Sequence, residues 1–183
     1  MTQNNSIDVT TIGNAIVDII AQCNDNFLEE FKIIKASMDL IDEQRSMTLF
    51  NNLEKPKIIS GGSAANTAVG IAALGSKAAF IGKVKDDELG NTFKVDIQKV
   101  GVSFNTALES DGPRTASSII LVTPDAERSM NTFLGACVNL DVQDLDENLI
   151  KNSKIVYLEG YLFDPPKAKE AFIKAAEIAK NEQ

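Results

Sequence analysis

Apolar and polar positions alternate from Ile7 to Ile12, with Asp8 and Thr10 between apolar neighbours, and the run stops at Gly13. That period of two predicts a β-strand. A second β-rich run, Ile16-Val17-Asp18-Ile19-Ile20, follows Asn14 and holds one carboxylate among aliphatic residues. Asp25 stands where the cap of a short helix over Asn26–Phe31 belongs. The segment KASMDLID (Lys35 to Asp42) reads as extended, and Asp42 is placed to cap a helix from Glu43 to about Leu53. Lys57–Ser60 is a short strand that meets the pair Gly61-Gly62. A helix follows from Ser63 to Ala73, with Gly75 at the position of a C-terminal cap. Ala78–Ile81 is another strand, after which DDELGNTFKVDIQKVGV repeats Leu89, Phe93, Ile97 and Val100 at helical spacing up to Gly101.

From Ser103 onward the pattern changes. Thr115–Val122 and Arg128–Phe133 are β runs joined by the turn at 123–127, a hairpin where βα units came before. Alternation then returns with a helix over about Val142–Lys151, a strand in KIVYLEG, and a helix opened by Pro165-Pro166 that runs to Lys180. Strands alternating with helices imply an α/β fold, with a mostly parallel sheet and helices on both faces. The hairpin and the early β segments break that rhythm and imply a small antiparallel sheet standing off the main layer as a lid. No internal repeat, low-complexity tract or linker is present. The final segment, KAKEAFIKAAEIAKNEQ, is an amphipathic helix directly after a strand. Either that helix closes the domain or a further strand pairs beside the last one, and the pattern fits both.

Composition removes several chemistries. The 183 residues are 44% hydrophobic, enough for a real core. Lys and Arg number 18 against 26 Asp and Glu, and the net charge of −8 argues against a basic groove for nucleic acid. Histidine is absent, which excludes Ser-His triads, His acid–base catalysis and His-ligated metals. Cys23 and Cys137 make neither a disulfide framework nor a zinc spacing. The stretch MTQNNSIDVTTIG lacks the charged and apolar regions of a signal peptide, and no apolar run has the length of a membrane span. The expectation is a soluble, cytoplasmic protein with no metal, nucleic-acid or membrane partner.

Three features carry candidate chemistry. Gly61-Gly62 is either a tight turn or a place where a ligand lies against the backbone at a helix N-terminus. It lacks the Lys-Ser/Thr of a P-loop and the third glycine of a dinucleotide fingerprint. Asn66, one turn further on among Ala64, Ala65, Thr67 and Ala68, puts an amide on the turn that carries the glycines and Ser63. An amide contact is neutral recognition, suited to a sugar hydroxyl more than to a phosphate. Asp18 is either an outward-facing strand residue or a carboxylate on a cavity, where it accepts hydrogen bonds from two vicinal hydroxyls.

Four segments resemble the ribokinase-like (PfkB) family of carbohydrate and nucleoside kinases. They are GNAIVD (Gly13–Asp18), GGSAANTA (Gly61–Ala68), AALGSKAAFIGKVKDDELG (Ala72–Gly90) and PDAERSMNTFLGA (Pro124–Ala136). Together with KASMDLID and YLEGYLFDPP they look most like bacterial adenosine kinases or general sugar kinases, and the resemblance covers nearly the whole chain from about Ile7. It implies a central α/β sheet with a small β lid, formed here from about 14–22, 34–42 and 103–135. It implies that Asp18 binds sugar hydroxyls with Asn14 beside it, and that Gly61, Gly62, Ser63 and Asn66 line the same pocket. By the same resemblance Met38 and Phe133 reach a base or sugar face from the lid, and an exposed lid face pairs in a homodimer. Lys85 departs from the family signature, which has glycine there.

Family members also carry a segment like D-T-x-G-A-G-D, whose glycines form an anion hole and whose last Asp is the catalytic base. Neither that segment nor an ATP-binding one occurs here, so the base is expected beyond residue 183. The resemblance therefore implies the N-terminal portion of an ATP- and Mg2+-dependent kinase acting on the primary hydroxyl of a nucleoside or sugar, adenosine favoured. Without its ATP-binding half the chain is expected to be inactive and to hold no ATP or Mg2+. The alternatives are a non-catalytic ligand-binding or dimerising fragment, and ribose, fructose or another sugar as substrate.

Overall fold

In chain order the strands are β1 (Ile7–Ile12), β2 (Ile16–Gln22), β3 (Met38–Leu40), β4 (Lys57–Gly61), β5 (Ala78–Ile81), β6 (Ala116–Val122), β7 (Arg128–Phe133) and β8 (Ser153–Leu158). The helices are α1 (Asp25–Glu30), α2 (Glu43–Asn51), α3 (Ser63–Ala73), α4 (Glu88–Lys99), α5 (Glu147–Lys151) and α6 (Pro166–Lys180). The structure, a computed structural model, describes residues 7–181. No described helix is long and apolar enough to cross a membrane.

Alternation along β1 decides the layering. β1 lies at the centre of a parallel sheet of order β5-β1-β8. Thr11 turns toward α3, its Oγ1 donating to the Ala64 carbonyl at 2.9 Å, while Ile12 turns the other way among Leu140, Ile150, Leu162 and Phe172. β5 alternates in the same manner, sending Phe80 to the first side and Ile81 to the second. Helix α3 thus covers one face, and α5 and α6 cover the other. On the α3 side, Phe80, Phe93 and Phe104 bring their ring centroids within 5.4–5.8 Å of one another. The start of α4 is fixed by Asp87, whose Oδ1 accepts from Gly90 N at 2.8 Å and whose Oδ2 accepts from Thr115 N at 2.9 Å.

The second sheet is larger than a hairpin. It has five strands in the order β3-β7-β6-β2-β4, antiparallel at β2/β4 and β6/β7 and parallel at β2/β6 and β3/β7. Strand β4, read from sequence as part of the βα series, joins this sheet instead of the parallel one. Local period identifies a strand, but its partner is set by contacts distant in sequence. Ser103 and Glu109, in contrast, bridge to Ala79 and Lys85 on the outer side of β5. Element ends also shift. Asn24 rather than Asp25 caps α1, only Met38–Leu40 of KASMDLID is strand, and the stretch expected as one helix is a 3-10 turn (Val142–Asp144) followed by α5. Lys85 does not adopt positive φ; its ammonium donates to the carbonyls of Ser110 at 3.0 Å and Gly112 at 3.2 Å.

Candidate active site

A cleft of about 460 Å³ opens where the C-terminal ends of β1 and β8 and the start of α3 face the second sheet. In sheets with parallel strands this edge is the usual place for a ligand. Strand alternation selects its other wall: Ile16 and Asp18 from β2, Met38 and Leu40 from β3, Ser118 from β6, and Met130 and Thr132 from β7. The Ser118 and Thr132 hydroxyls pair with each other at 2.9 Å.

Asp18 is half-buried, and no described side chain hydrogen-bonds or ion-pairs with it. Burial therefore pushes its carboxyl above the ordinary carboxylate range. The carboxylate lies over Gly61: a Cβ on that glycine would stand 2.4 Å from Asp18 Cγ. Gly61 thus makes room for the acid directly. Gly62 is required twice over, since its φ is +91° and a Cβ there would meet the Asn14 carbonyl oxygen at 2.3 Å. Asn14 is buried in the cleft wall, and its Oδ1 has no partner.

The structure brings Asn14, Asp18, Met38, Gly62, Ser63 and Asn66 to one cleft, with Gly61 packed beneath Asp18. Phe133 is elsewhere. It follows Thr132 in β7, so it points to the opposite face of the sheet, into a small separate cavity with Met47, Phe50 and Leu89. Glu159 was not singled out from sequence, yet it is 4% exposed at the C-terminal end of β8 and accepts a hydrogen bond from Ser63 Oγ. Its place at the N-terminus of α3 is favourable for a negative charge. The available signal was a carboxylate closing the apolar run KIVYLEG just before a glycine. Ser118, Met130, Thr132 and Leu40 enter the cleft through sheet pairing alone, which leaves no local signature.

Asp18, Glu159 and Asp164 are the charged residues of the lining, which has no Lys or Arg. Lys83, just after β5, is taken by an ion pair with Asp144. The unpaired Asp18 carboxylate calls for hydrogen-bond donors on a ligand. A triphosphate would set its charge against these three carboxylates. Among the described residues no group of three or more Cys, Asp or Glu side chains is arranged to hold a metal ion.

Residues 31–183 match the family model described as pfkB family carbohydrate kinase. A 5-dehydro-2-deoxygluconokinase of Clostridium perfringens is 32% identical over 158 residues, covering 80% of this chain and 47% of that protein. Among solved structures, the adenosine kinase from Sinorhizobium meliloti is similar with a TM-score of 0.87 at 52% identity. A probable sugar kinase from Rhizobium etli CFN 42 is similar with a TM-score of 0.87 at 50% identity. Each of these two comparisons covers 97% of this chain and 54% of the other. The chain spans about half the length of the curated relatives it matches.

Proposed function

The chain belongs to the pfkB carbohydrate kinase family, and from that premise we propose that its cleft is the acceptor site for phosphoryl transfer to the primary hydroxyl of a nucleoside or sugar, adenosine favoured. The observation that carries this reading is the unpaired, partly desolvated Asp18 carboxylate, in a cleft whose lining has no Lys or Arg. The two oxygens of one carboxylate suit adjacent hydroxyls. The apolar side chains of Met38, Leu40, Met130 and Leu134 favour a purine over a bare sugar, as does the 52% identity to an adenosine kinase. Family membership implies ATP as the donor. On this reading the ATP site, its Mg2+ and the base that deprotonates the hydroxyl belong to the half of the relatives' length that this chain does not span. The chain alone then binds acceptor without turning it over. The exposed Ile34, in the turn before β3, and the exposed Met38 and Leu40 in β3 support a homodimer through this sheet as a companion proposal.

Calorimetric titration of adenosine, ribose and fructose into the wild type, Asp18→Ala and Asn66→Ala tests the reading. The wild type is expected to bind adenosine. Loss of a hydrogen bond to a charged group costs ~1.5–3 kcal/mol, so Asp18→Ala weakens binding by roughly 10- to 100-fold. Asn66→Ala costs ~1 kcal/mol, about fivefold. A wild type that binds none of the three ligands sinks the proposal.

A further inference from the structure

Behind the second sheet lies another cavity, one sheet thickness from the cleft. Strands β6 and β7 wall both spaces: Ser118 and Thr132 turn into the cleft, and their chain neighbours Ser117 and Phe133 turn into the cavity. Helices α2 and α4 close it through Ser46, Met47, Phe50 and Leu89. Its volume is about 70 Å³. One water needs ~10–15 Å³ and a benzene ring takes ~150 Å³, so the space suits a short aliphatic group and not an aromatic one. Buried Ser46 and Ser117 mark its floor, where their hydroxyls bond each other at 3.2 Å. Around them Ile19, Met47, Ile58, Leu89 and Phe133 present carbon. At the mouth the chemistry changes. Glu43 opens α2, Glu88 opens α4, and Arg114 stands two residues before β6. Among the described residues none of these three side chains is in an ion pair. The Arg114 backbone is held in place, its carbonyl accepting from Ala136 N at 2.9 Å. Thr115 beside it is fixed by the Asp87 cap of α4.

We propose that this cavity binds a small zwitterion with a short aliphatic body, the chemistry of an aliphatic α-amino acid. The carboxylate takes the planar fork of Arg114, and the ammonium takes Glu43 or Glu88. The aliphatic side chain fills the space between Met47, Leu89 and Phe133 and supplies affinity by leaving water. Charge decides the class. An anion without an ammonium meets two carboxylates at the mouth, and a cation without a carboxylate meets the guanidinium. A molecule with one charge of each sign answers all three. The site shares no lining residue with the acceptor cleft and is independent of which acceptor binds there.

Titration of L-valine into the isotope-labelled chain, followed by amide chemical shifts, tests the site. Saturable binding is expected with a Kd of about 1 mM or below, the shifts centred on Ser117 and Phe133. Isovalerate, which is valine without its ammonium, and isobutylamine, valine without its carboxylate, are each expected to bind about tenfold more weakly. Arg114→Gln removes the fork and is expected to weaken valine binding by about tenfold. Leu89→Phe narrows the cavity and is expected to weaken it by a similar factor of about ten. Circular dichroism checks that both variants fold. Arg114 is exposed, so its replacement decides the matter if Leu89→Phe does not fold. Absence of saturable valine binding overturns the proposal. So does isovalerate or isobutylamine binding as tightly as valine, or valine shifts confined to the acceptor cleft, or valine affinity unchanged by Arg114→Gln.

Discussion

Burial without a partner raises the pKa of Asp18, which makes this residue a conflict between stability and recognition. The folded state holds the Asp18 proton more tightly than the unfolded chain. The ionised group therefore costs stability above its raised pKa, and the cost vanishes below the ordinary carboxylate pKa of ~3.9. Asp18→Asn is expected to raise the melting temperature at neutral pH, with the advantage shrinking as pH falls and gone below about pH 4. Thermal melts across that range check it, and a variant less stable than wild type at neutral pH refutes the assignment. Gly62 and Asn66 stood out in the sequence by residue type and spacing, and Asn14 only through the family resemblance of GNAIVD. The reason Gly61 must be glycine did not, because it is the Asp18 carboxyl group brought over it by the β2/β4 pairing.

Among the elements, the end of β5 is tied down by Lys83, which pairs with Asp144 in the 3-10 turn before α5. The Asp144 side chain is 7% exposed and also accepts from Asp141 N at 2.9 Å. Lys83→Met leaves that carboxylate buried without its cation, a change that costs ~3–5 kcal/mol. Urea unfolding measures it, and the further substitution Asp144→Asn is expected to recover part of the loss. A single-variant loss well under ~1 kcal/mol would contradict the burial of the pair. Helix α4 was legible because Phe93 and Ile97 recur at helical spacing and Asp87 precedes it. The segment before α5 was not, since a run of Asp, Gln and Leu fits a helix as well as a capped 3-10 turn.

For the molecule as a whole, two apolar cores sit on opposite faces of one three-stranded sheet, and the cleft lies at that sheet's C-terminal edge. With three carboxylates and no Lys or Arg in the lining, adenosine and ATP with Mg2+ supplied to this chain alone are expected to yield no AMP or ADP above background. A coupled assay checks this, and measurable turnover refutes the division of labour proposed above. The order of strands and helices, the βα rhythm and its interruption, and the acceptor-type residues Asp18 and Asn66 were all present in the linear pattern. Local period encodes element type and the alternation of faces, and a resemblance carried by short motifs supplied the family. Which sheet received β4, why Phe133 turned away while Thr132 turned in, and how Glu159 reached Ser63 were decided only by tertiary pairing. A two-residue repeat states that neighbours face opposite ways. Which of those ways meets the cleft depends on strands far apart in the chain.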